Sequence, residues 1–144
     1  MSRGQAVRLK DFEGAWAIDR RVENAVGPDA RFAGVARFVP GEGGLVLTEE
    51  GEMTVPGLTP MRATRRYLWR EAAEGIDVFF DDGRYFHHIG TGSVVEAAHD
   101  CAPDVYRVSY DFTGWPRWQA VWQVSGPRKA YRMTSVYAPD RAGD

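Results

Sequence analysis

Apolar and polar positions alternate along most of the chain, and Gly, Pro or Asp-Gly breaks the alternation about every 10 to 15 residues. Period-two alternation between turn signals predicts antiparallel strands joined by hairpins. The first strand, Ala15 to Glu23, sets Trp16, Ile18 and Val22 on one face, with Arg20 among them. Arg31 to Val39 follows, with Phe32, Gly34, Ala36 and Phe38 in phase. Leu45 to Glu49 carries Leu45, Leu47 and Glu49 together, and Arg62 to Glu71 carries Arg65, Tyr67 and Trp69. Ile76 to Phe80 and Arg84 to Ile89 flank Asp81-Asp82-Gly83, a hairpin signal. Val94 to Cys101, Val105 to Phe112, Arg117 to Val124 and Lys129 to Tyr137 complete the series. Only Ala6 to Phe12 reads as a helix, and a short one.

Nine or ten strands with one apolar face need a cover. No helices are available to supply it, so the sheet must close on itself or fold into a sandwich. The unbroken run of hairpins favours a single antiparallel up-and-down β-barrel of about 9–10 strands. The whole chain, 1–144, reads as one such domain, with its core over about 12–137. Barrels of this size are filled by side chains or hold one small ligand.

Composition narrows the function. The chain has 144 residues, 44% of them hydrophobic, and no apolar run long enough for a membrane helix. Net charge is −2, which argues against nucleic-acid binding. Met1 to Lys10 shows no apolar leader core, and one cysteine, Cys101, rules out an internal disulfide framework. The expected setting is the reducing cytoplasm. The expected partner is a small molecule, with no nucleic acid and no membrane, and the protein itself a monomer or homodimer. Of 18 basic residues only Lys10 and Lys129 are lysines. Such usage follows from GC-rich coding, or from arginines that face inward and hold an anion by paired hydrogen bonds.

Phe12-Glu13-Gly14-Ala15-Trp16 resembles the Gly-x-Trp opening of lipocalin-like (calycin) barrels. That resemblance implies that Trp16 closes one end, with Arg128 or Arg132 packed across it. Further segments are Arg66-Tyr67-x-Trp69, Asp82-Gly83-Arg84-x-Phe86-His87, Ala98-His99-x-Cys101 and Trp122-x-Val124-x-Gly126-Pro127-Arg128-Lys129. Together they resemble a bacterial lipocalin-like family described as a domain of unknown function, which carries no catalytic residues to transfer. A looser likeness to nitrobindin and fatty-acid-binding barrels implies haem, held by a histidine, as an alternative. No cofactor is otherwise expected.

Arg84 to Asp104 contains His87, His88, His99 and Cys101, with Asp100 and Asp104. His99 and Cys101 share a phase, and so do Tyr85, His87 and Ile89. If the two strands form a hairpin, His87 and His99 approach each other. A metal site of His87, His99 and Cys101 matches no familiar ligand spacing. Cys101 with His99 as base would need a hydrogen bond, whereas i and i+2 side chains stand about 6 to 7 Å apart. Polar recognition of a ligand inside the barrel fits better, against the competing reading of a buried structural network. Arg20 and Arg65 lie in apolar phases, with Glu49 the natural internal partner. The candidate ligand-binding residues are therefore Arg20, Arg65, Arg84, His87, His99, Cys101 and Tyr131. The expected ligand is partly apolar, and anionic if the arginines engage it. An enzyme using a histidine as general acid or base in the same cavity is the alternative.

Overall fold

The computed structural model describes residues 7–140. Ten antiparallel strands make up almost all of it: β1 (Gly14–Asn24), β2 (Ala30–Gly41), β3 (Gly44–Thr54), β4 (Met61–Ala72), β5 (Gly75–Phe80), β6 (Tyr85–Ile89), β7 (Val94–Cys101), β8 (Asp104–Asp111), β9 (Trp118–Ser125) and β10 (Ala130–Pro139). The sheet order is β6-β5-β4-β3-β2-β1-β10-β9-β8-β7, so each ladder but β1–β10 joins neighbours in sequence. The edges β6 and β7 lie against each other without a ladder, and the barrel is nearly closed. The hairpin of β6 and β7 on which an approach of His87 to His99 was made conditional is therefore not formed; these strands are the two ends of the sheet.

The alternation of the sequence sets the walls. Trp16, Ile18 and Arg20 of β1 are buried while Ala17, Asp19 and Arg21 are exposed, and Leu45, Leu47 and Glu49 of β3 repeat the pattern. At the β2–β3 turn, Glu42 and Gly43 both take positive φ, 55° and 81°, as a two-residue type I′ hairpin requires. β3 continues five residues beyond the expected Glu49, past Gly51. Gly51 sits opposite Gly34, and a Cβ on Gly34 would collide with the Glu50 carbonyl. The two glycines permit a close strand approach that a polar, glycine-containing run does not advertise.

The expected N-terminal helix shrinks to one 3₁₀ turn, Leu9–Phe12; Ala6 lies outside the described residues. The Asp11 amide donates to the Arg8 carbonyl, and the Arg8 amide donates to the Asp11 carboxylate at 2.8 Å. Glu13 then leaves in an extended conformation, which delivers Phe12 into the barrel.

Phe12 plugs this end. It is fully buried, with the rings of Trp69, Trp115 and Trp118 at 5.1, 5.1 and 5.3 Å and those of Phe38, Phe112 and Trp16 slightly farther away. Trp16 donates its indole N–H to the Phe12 carbonyl at 2.8 Å. The arginine expected across Trp16 is not there. Trp115 and Trp118 cover it instead, while Arg132 pairs with Glu23, seven residues up β1 and on the order of 20 Å away. Arg128 is exposed in the β9–β10 turn.

Phe86 fills the opposite end, here called the mouth. It stacks on Phe80 at 4.4 Å and packs against Trp122 and His99, both at 5.3 Å. A β-bulge places it there: Val78 pairs with His87 and Phe79 with Tyr85, so Phe86 has no partner on β5. The bulge turns both Phe86 and His87 inward while Tyr85 is exposed. It breaks the phase that the sequence assigned to Tyr85, His87 and Ile89.

Candidate functional site

Between the two aromatic plugs lies a polar chamber. Arg20 on β1, Glu49 on β3 and Ser135 and Tyr137 on β10 are all buried and share one network. Arg20 donates through Nε to Ser135 Oγ at 2.7 Å, and through Nη2 to Glu49 Oε1 at 2.9 Å and to Tyr137 OH at 3.1 Å. Tyr137 OH donates to Glu49 Oε2 at 2.6 Å. The strand phases create this cluster, because Ser135 stands opposite Arg20 in the β1–β10 register. Burial opposes the Arg20 charge, but Tyr137 and Glu49 more than offset it, so its pKa lies above the ordinary value. Burial, and next the Glu49 charge, push the Tyr137 phenol well up.

His87 faces the same chamber. Its Nε2 shares a 2.9 Å hydrogen bond with Tyr110 OH, and its Nδ1 is buried without a partner. Trp118 Nε1 is likewise buried without a partner, beside Tyr137, whose ring stacks on the indole at 3.9 Å. Arg65 lies nearer the mouth. Its guanidinium donates to Tyr67 OH at 3.3 Å and stands 5.7 Å from the Trp122 ring. Glu49 is its cross-strand neighbour but is engaged by Arg20. Arg65 has no carboxylate within salt-bridge distance among the described residues.

The free space at the chamber's centre is small. The positions open to the centre of a water molecule fill about 20 Å³, and the wall includes Arg20, Arg65, Tyr67, His87, Tyr110 and Trp118. That is room for one water-sized group. It does not fit a haem, and His87 Nε2 is already engaged by Tyr110. Among the described residues no group of three His, Cys, Asp or Glu side chains converges.

The seven candidate residues thus separate. Arg20, Arg65 and His87 meet at the chamber. His99 and Tyr131 are half-buried at the mouth, His99 against Phe80, Phe86 and Tyr106. Burial raises the Tyr131 pKa, and the nearby Arg65 charge offsets part of that rise. Arg84 is exposed, paired with Asp82 at 2.7 Å and set over the Phe80 ring. Cys101 is exposed where β7 ends. Ser135, Tyr137, Tyr110 and Trp118 were not singled out from the sequence as site residues. A serine in an apolar phase, facing an arginine in another, was the available signal.

His87 gives a pH prediction. Burial first, and then the His99 and His88 charges, push its pKa from 6.5 down to about 3. The unfolded chain takes up this proton near pH 6.5 and the folded one only near 3. The stability tied to the neutral ring is complete above 6.5 and is lost as pH falls towards 3. Between pH 7.5 and 5.5 the loss is about 1 kcal/mol. Urea denaturation of His87→Phe should show that much less loss over this window than the unaltered protein. Equal losses would contradict the burial of a neutral His87.

The family of unknown function DUF6314 matches residues 12–139, a range that contains all ten strands. The chain belongs to this family. No curated protein matches the DUF6314 chain at the sequence level. Among solved structures, the S-type phycobiliprotein lyase from Guillardia theta is similar, with a TM-score of 0.65 over 96% of this chain and 95% of the other, at 7% identity. A DUF3598-family protein of unknown function from Nostoc punctiforme is also similar, with a TM-score of 0.60 at 6% identity. That match covers 94% of this chain and 50% of the other. At such identities the likeness concerns the fold. Among the described residues no helix is long and apolar enough to cross a membrane.

Proposed function

We propose that this DUF6314 protein is a lipocalin-like binding barrel for a small, partly apolar anion, whose carboxylate rests on Arg65. The observation that carries this reading is the half-buried Arg65 guanidinium, framed by Tyr67 and Trp122, with no carboxylate partner among the described residues. The charge count around the chamber agrees. Arg20 and Arg65 contribute two positive charges, Glu49 one negative, and His87 is neutral, which leaves an excess of one positive charge. In a recess largely shielded from water such an excess attracts an anion, and a guanidinium holds a carboxylate by paired hydrogen bonds. The aromatic walls supply apolar contact for the ligand's body.

A second reading is that the barrel is filled by its own side chains and serves as an interaction module. The small free space of about 20 Å³ favours it. Titration followed by tryptophan fluorescence separates the two. The probes are anilinonaphthalene sulfonate, arylalkyl carboxylates and the matching arylalkyl amines. The anions should bind and the amines should not. Arg65→Met should weaken anion binding by about tenfold or more while leaving the β circular dichroism intact. Anion affinity unchanged in Arg65→Met sinks the assignment, and no binding of any anion favours the filled barrel.

A further inference from the structure

The two unpartnered nitrogens of the chamber are not explained by an anion on Arg65. His87 and Trp118 are 1% and 2% exposed, yet His87 Nδ1 and Trp118 Nε1 have no hydrogen-bond partner among the described residues. Buried polar atoms left so are rare in folded proteins and call for a specific occupant. Both residues line the one space. An indole N–H only donates. A neutral imidazole that shares its Nε2 with Tyr110 presents at Nδ1 either an acceptor or a donor, according to tautomer. A hydroxyl group both donates and accepts, so it satisfies either state. Its oxygen is the size of the water that about 20 Å³ admits. A second carboxylate is a poor occupant, because Glu49 already places a negative charge in this wall.

We infer that the chamber reads a hydroxyl group on the ligand, so that the barrel takes a hydroxy-substituted carboxylic acid, its hydroxyl directed to His87 and Trp118 and its carboxylate to Arg65. The carboxylate half rests on the function proposed above; the hydroxyl half rests on the chamber alone. Phe86 separates the chamber from His99, so an entering ligand displaces the Phe86 ring or passes beside it along the unlaced β6–β7 edge.

The test uses two probe pairs on the full chain. The first is 3-(4-hydroxyphenyl)propionate against 3-phenylpropionate. The second is neutral, 4-ethylphenol against ethylbenzene, and does not depend on Arg65. In each pair the hydroxylated member should bind about tenfold tighter or more, since the analogue leaves buried polar atoms unpaired. Each hydroxylated probe should also shift the Trp118 indole N–H resonance, an effect read in the unaltered protein. Trp118→Phe and His87→Phe should lose the preference, the two members of each pair then binding within about threefold of each other in the same variant. Equal affinity within both pairs overturns the inference. So does a preference that survives in both variants, or an unmoved Trp118 resonance, or no binding of any probe. If only the neutral pair discriminates, the chamber is upheld and the Arg65 reading fails. If the acids bind but neither pair discriminates, the Arg65 reading stands and the chamber falls.

Discussion

Glu49→Leu should destabilise the barrel by about 3–5 kcal/mol, the cost of leaving a buried guanidinium without its counter-charge. Arg20 is 4% exposed and Glu49 2%, so water cannot take over the lost pairing. Three of the four hydrogen bonds in the network involve Arg20, and Glu49 accepts two of the four. Arg20→Met alone should also be costly, because it strands the Glu49 carboxylate against the Tyr137 hydroxyl. The combined Arg20→Met and Glu49→Leu protein should regain most of the loss and stand within about 2 kcal/mol of the original, since apolar side chains of similar volume often replace a buried ion pair without penalty. Urea denaturation of the four proteins closes the cycle. Additive losses in the double variant would show that the pair is not energetically coupled.

Phe12→Ala should cost about as much, 3–5 kcal/mol by the usual range for a buried phenylalanine. The reason is different. Six aromatic rings surround Phe12 within 6.4 Å, and the strands that carry most of them are fixed by ladders on both sides. Such a wall cannot collapse into the space left behind, which places the loss towards the upper end of the range. Phe12→Leu should lose less than half as much, because it retains most of the buried volume. Thermal and urea unfolding measure both. A loss under about 1 kcal/mol for Phe12→Ala would mean that the 3₁₀ turn is only loosely seated.

The strand content was largely legible in the sequence, because alternation and turn residues are local signals. Arg20 and Glu49 stood out because they interrupt apolar phases on separate strands, and the fold brings them within 2.9 Å. What was not legible depends on register. The bulge beside Phe86 changes which residues of β6 face inward, and no single residue type marks it. The long reach of β3 depends on Gly34 meeting Gly51 across the ladder, which the chain cannot reveal before the strands are aligned. The same holds for Arg132, one of two arginines offered on resemblance for the place across Trp16 and found opposite Glu23.

The connectivity also bears on how the protein is made. Among the described residues every ladder except β1–β10 joins strands adjacent in the chain. During synthesis, each hairpin can therefore form as soon as its second strand leaves the ribosome. The edge of β1 that receives β10 stays open until the last strand is released, and Arg20 waits for Ser135 and Tyr137 on that strand. A long, unpaired edge next to a buried charge is the state most exposed to pairing with another chain. For a nascent chain of this topology, the interval before β10 emerges is the vulnerable one, and that strand supplies both the missing ladder and the remaining partners of the buried arginine.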